Sequence, residues 1–117
     1  MVHRALSAAE QLAQKGIDAK VIDVRCLVPL EIGSIERSVK KTGRLLIVEE
    51  DHLTGGWGAE VAALISERAF HHLAGPIRRL AGLDTPVPCA ASLEHLFVPS
   101  VERIISAIVE MRVPETK

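Results

Sequence analysis

The stretch Arg44–Leu73, RLLIVEEDHLTGGWGAEVAALISERAFHHL, decides the fold. Leu45, Leu46, Ile47 and Val48 form a short continuous apolar run, the signature of a strand buried on both faces. The run ends in Glu49-Glu50-Asp51-His52, crosses Gly55-Gly56-Trp57-Gly58 and enters a segment with apolar residues at Val61, Ala62, Ile65, Ala69 and Leu73. That spacing predicts an amphipathic helix over 58–73. Strand, glycine-rich turn and helix form the repeating unit of α/β sheets, and the turn falls at the carboxyl end of the strand, where such sheets make their contacts.

Outward from this unit the same alternation continues. Val2 to Lys15 places apolar residues at 2, 5, 6, 9, 12 and 13, a helical stripe closed by Gly16. Ala19 to Arg25 (AKVIDVR) reads as a strand, and Pro29 as the start of a helix whose inner face is Ile32, Ile35 and Val39. Lys40 and Lys41 suit the dipole of its last turn, and Gly43 stops it. Gly75-Pro76 breaks the central helix, and Ile77 to Ala81 predicts a third strand. Thr85-Pro86-Val87-Pro88 must be extended, because each proline drives its predecessor out of the α region. Ser92 to Phe97 predicts a single helical turn. Ser100 then caps a last helix with Val101, Ile104, Ile105, Ile108 and Met111 facing inward. Residues 1–112 are one domain and 113–117 a tail. The order predicts an α/β fold, a three-layer α/β/α sandwich with a mostly parallel sheet. One feature does not fit: the first helix has no strand before it, and four helices are too many for three strands.

The totals exclude several classes of function. With 117 residues the chain is a single domain. A net charge of −1 gives nucleic acid or an anionic membrane nothing to hold, and Lys40-Lys41 and Arg78-Arg79 are too short for an electrostatic footprint. No apolar run approaches the roughly 20 residues that span a bilayer, and the amino terminus lacks a signal-peptide pattern. Cys26 and Cys89 have no metal-ligand spacing and read as reduced thiols, Cys89 as a small buried residue rather than a nucleophile. His71 and His72 point about 100° apart on a helix and cannot chelate one metal together. With His95 they have no partner at ligand spacing, so no metal site is expected.

The remaining candidate site is the turn. A carboxylate beside His52 has the elements of acid/base chemistry, and glycines opening a helix can hold an anion on free N–H groups. Three neighbouring carboxylates would repel a phosphate, and the pattern is neither a dinucleotide fingerprint nor a P-loop. Glu50, His52, Gly56, Trp57 and Gly58 are therefore read as a tight turn and subunit contact, not as catalytic, cofactor or metal residues. Trp57 is either a contact hot spot or core under a neighbouring loop.

Read in order, several pieces resemble one family. They are MVHRALSAAEQLAQKGIDAKVIDVRCLVPL with Asp23, Arg25, Pro29 and Leu30, SVKKTGRLLIVEE, GGWGAEVAALISERAF with Gly56, Gly58 and Glu60, then GLDTPVP, Pro99 and Val101-Glu102. The chain resembles the C-terminal domain of the beta subunit of thiamine-dependent 2-oxoacid dehydrogenases, of the pyruvate or branched-chain type, within the wider transketolase C-terminal family. The resemblance implies a piece of an oxidoreductase whose first strands are missing, one of them central, between 19–25 and 44–50. It implies that thiamine diphosphate and magnesium belong to the parent assembly and that no residue here binds them. Implied partners are a second beta subunit, the alpha subunit and the lipoyl acyltransferase core. Implied locations are the bacterial cytoplasm or the mitochondrial matrix. On this reading the chain is a subunit-association domain, inactive alone. The alternative is a small α/β module that binds an anionic metabolite at the 49–58 turn. With no central strand, 20–24 is expected to pair directly with 45–49, or else to receive a strand from a second copy.

Overall fold

A computed structural model describes residues 1–112 of the chain; the tail predicted at 113–117 lies outside the described residues. Helix α1 (Val2–Ala13) is followed by a segment without helix or strand, then α2 (Ile32–Thr42), β1 (Leu46–His52) and α3 (Gly58–Ala69). After a 3₁₀ turn at Phe70–His72 come β2 (Arg78–Gly82), α4 (Ala91–Phe97) and α5 (Val101–Arg112). Strands β1 and β2 are parallel neighbours, with Leu46 opposite Arg78, Ile47 opposite Arg79 and Val48 opposite Leu80. An irregularity follows before His52 meets Gly82.

The helical faces form two layers. On one side α2 and α3 bury Ile35, Val39, Val61, Ile65 and Ala69, with Ile22, Val24, Leu45, Ile47 and Trp57 packed against them. On the other, α1 lies on α5, joined by a hydrogen bond from Arg4 Nη1 to the Pro99 carbonyl at 2.8 Å. Here the predicted face of α1 is rotated. Ala8 and Leu12 are fully buried while Leu6 is 46% exposed, because α5 approaches from one side only.

Three local features differ from expectation. Helix α2 starts at Ile32, not Pro29, because the Glu31 carboxylate accepts a hydrogen bond from the Ser34 amide at 2.9 Å and sets the cap there. The turn predicted at 92–97 is a seven-residue helix, α4. Cys89 is exposed, not buried, since the proline-bearing segment before it runs over the surface.

The largest departure is in the sheet, which has two hydrogen-bonded strands. Among the described residues, 19–25 form no strand and 20–24 pair with no other segment. The expected pairing with 45–49 is not formed. Between the two segments lies a groove of about 660 Å³. Side chains of α1, α3 and α5 project into it, with Ala5, Trp57, Ile104 and Ile108 on its lining. Closing the gap would require collapsing both helical layers, which close packing resists.

Candidate functional site at the glycine-rich turn

The turn is built around one carboxylate. Glu49 lies near the middle of β1, and its side chain is only 10% exposed. Its Oε1 accepts from Arg79 Nη2 on β2 at 2.7 Å, and its Oε2 accepts from the Gly58 amide at the start of α3, also at 2.7 Å. A single side chain thus fastens both strands to the helix. Gly58 must lack a Cβ, because one would collide with this carboxylate and with Ile47. A Cβ on Gly56 would strike the His52 carbonyl. The close approach of turn to strand requires glycine at both positions.

The sequence did not reveal the Glu49–Arg79 pair. Its signal was present: Ile47 opposes Arg79, so Glu49 falls on the same face two residues along. That register cannot be known before the strands are paired. Arg78, pointing the other way, reaches Glu110 of α5 at 2.8 Å.

The predicted contact residues are held by internal partners. The Glu50 carboxylate lies 2.9 Å from the Met1 ammonium. The His52 Nε2–H donates to the Thr85 carbonyl at 2.9 Å, and the ring stands edge-on to Phe97 with centroids 5.4 Å apart. Asp84 accepts from the Thr54 amide and hydroxyl at 2.9 and 2.6 Å, tying together the loops that follow β1 and β2. Trp57 is half-buried, packs on the α2–α3 core and lines the groove. Among the described residues, no group of His, Cys, Asp or Glu is placed to hold a metal ion, and no helix is long and apolar enough to cross a membrane.

The amino end of α3 leaves little for an anion. The Gly58 amide bonds Glu49, the Ala59 amide bonds the Gly56 carbonyl and the Glu60 amide bonds the Trp57 carbonyl. A phosphate would have to displace a carboxylate already seated in that position.

The Thr54 bonds hold the Asp84 carboxyl below the usual carboxylate range, the side-chain bond most strongly. Thr54→Val is expected to move its titration midpoint upward, measured by NMR of the side-chain carboxyl carbon. Because the folded value is depressed, this contact contributes above the ordinary aspartate pKa and is lost as pH falls through the folded one. An unmoved midpoint would remove Thr54 as the cause.

A family model described as the transketolase C-terminal domain matches residues 1–104. The chain belongs to that family. Among similar proteins, pyruvate dehydrogenase E1 component subunit beta-1 of Arabidopsis thaliana is 47% identical over 107 residues, covering 92% of this chain and 30% of the relative. The corresponding subunit beta of Rhizobium meliloti is 41% identical over 104 residues, 89% of this chain and 23% of the relative. That of Chaetosphaeridium globosum is 45% identical over 111 residues, 95% and 34%. The chain therefore spans about a quarter to a third of the length of these relatives. Family membership agrees with the α/β fold and its short parallel sheet.

Proposed function

We propose that this chain is a subunit-association domain of the thiamine-dependent decarboxylating component of a 2-oxoacid dehydrogenase complex. In the complete assembly that component oxidatively decarboxylates a 2-oxo acid on thiamine diphosphate with magnesium and passes the acyl group to lipoyl. The domain contributes surface rather than chemistry. It joins beta subunits to each other and helps to hold the alpha subunit and the acyltransferase core. Its place would be the bacterial cytoplasm or the mitochondrial matrix, as the names of the relatives suggest.

The observation that carries this reading is the apolar surface around the turn. Leu53, Leu83, Val87, Leu93 and Leu96 are between 44% and 68% exposed. They sit on two loops tied by the Thr54–Asp84 and His52–Thr85 bonds, and on α4 beside them. A cluster of this kind marks contact with another macromolecule better than it marks a small-molecule site. The turn's own polar groups, by contrast, are spent on internal bonds. The alternative, an anionic metabolite at 49–58, loses its main support because Glu49 occupies the Gly58 amide.

The test is a chimera in which this chain replaces the matching quarter of the Rhizobium meliloti beta subunit, co-expressed with that organism's alpha subunit. The chimera is expected to assemble and to turn over a 2-oxo acid. Leu96→Asp with Leu93→Asp should weaken assembly by tenfold or more and leave the fold intact by circular dichroism. A chimera that folds but stays apart from its partners would contradict the reading.

A further inference from the structure

We infer that His52 is the positioning residue of the association surface: its ring closes the segment 85–97 into a loop and holds Val87, Leu93 and Leu96 in place for a partner. The inference rests on the function proposed above and adds the device that orders that surface.

The segment has little else to hold it. Every residue of 83–90 and 92–96 is exposed except half-buried Pro88. Its backbone bonds among the described residues stay within it: the Thr85 amide to Leu83, the Leu93 and Glu94 amides to Ala90, and the Val98 amide to Glu94. Helix α4, with seven residues, is far shorter than a helix that is stable by itself. Order must therefore come from the two ends. At the first, the Asp84 carboxylate accepts from Thr54, and the Thr85 carbonyl accepts from His52. At the second, Phe97 is the buried anchor of α4, only 4% exposed. Its ring occupies the space beside Gly82, where a Cβ would collide with it.

The two ends meet on His52. Its Nε2 lies 2.9 Å from the Thr85 carbonyl oxygen, which can only accept, so that nitrogen carries a proton. The same ring stands edge-on to Phe97, with centroids 5.4 Å apart and planes at 74°, the arrangement that aromatic pairs favour. Asp51 sets the ring from behind: its Oδ1 accepts from the His52 amide at 2.8 Å and lies 3.5 Å from Nδ1. One side chain on the rigid end of β1 thus joins residue 85 to residue 97. The Thr54–Asp84 pair fixes the first end alone and cannot take its place. Closure matters for binding because a loose loop must be ordered when a partner arrives, and that entropy is subtracted from the affinity. A loop already closed on His52 presents its apolar side chains without that cost.

The test follows amide exchange by NMR in the chain and assembly of the chimera described above, each with and without His52→Ala. In the variant chain the amides of Leu93, Glu94 and Val98, none of them bonded to His52, should exchange about tenfold faster, while those of the α3 core at Ile65 and Ala69 stay unchanged. The variant chimera should assemble about tenfold more weakly. Thr54→Val, which frees the first end alone, should leave α4 within about twofold of the parent. His52→Gln, which keeps a donor for Thr85 but offers Phe97 no ring edge, is the milder cut and should give the same changes in smaller size. Three results would overturn the proposal: α4 amides that His52→Ala leaves unmoved, a rise shared equally by the α3 core, or an equal loosening of α4 by Thr54→Val. If the parent chimera assembles and the His52→Ala chimera matches it, the positioning role falls and the association function stands. If the parent chimera stays apart from its partners, both fall.

Discussion

Replacing Glu49 with alanine is expected to lower stability by about 3 kcal/mol, the range for removing one partner of a buried ion pair. The effect should be large because Glu49 is bound twice. Without it, Arg79, whose side chain is only 18% exposed, keeps a charge with no counter-ion, and the Gly58 amide loses its acceptor. Arg79 has little to spare, since its Nε is already buried without a hydrogen-bond partner. The geometry also predicts a rescue. Glu49→Leu combined with Arg79→Met should recover part of the loss, because an apolar pair leaves no unpaired charge. Urea denaturation of the three variants checks this. A Glu49→Ala protein within 0.5 kcal/mol of the parent, roughly the range of ordinary surface substitutions, would show that the clamp contributes nothing.

Trp57→Ala is the second change with a large expected effect, and it separates two roles. The indole packs on the α2–α3 core with one face and lines the groove with another. In the assembled subunit its loss should cost about 2 kcal/mol or more of association, roughly thirtyfold in affinity. In the isolated chain the loss should be smaller, because the groove face has no neighbour there to lose. Comparison of the assembly constant of the chimera with the melting temperature of the isolated chain decides the matter. Unchanged association with a large fall in melting temperature would make Trp57 a core residue.

The elements that the sequence made legible are those defined within themselves. Helix α3 and its buried face follow from Val61, Ile65 and Ala69 at helical spacing, and α5 follows from Ser100, whose hydroxyl accepts from the Arg103 amide at 3.2 Å. Strand β1 follows from its aliphatic run. What was not legible depends on neighbours. Residues 19–25 have the composition of a strand, but strand structure needs a hydrogen-bonded partner, and the groove separates them from β1. The expected direct pairing set the cost of unpaired backbone above the cost of collapsing two packed layers, and the packing won. The Glu49–Arg79 pair was hidden for a related reason, since it exists only in one register of strands 30 residues apart.

The residues predicted as contacts, Glu50, His52, Gly56, Trp57 and Gly58, are near one another in sequence but serve different ends. The glycines allow close approach, His52 and Glu50 tie the turn to a loop and to the amino terminus, and Trp57 bridges core and groove. The turn is a joint between elements.

The proposed function has this domain act through surface and not through chemistry. Titration calorimetry of the isolated chain with thiamine diphosphate and magnesium, with phosphate and with 2-oxo acids, paired with a decarboxylation assay, tests that claim most directly. The predicted result is no binding in the micromolar range and no turnover. Micromolar binding of any of these, or turnover that survives repurification and disappears in Glu50→Gln or His52→Ala, would contradict it.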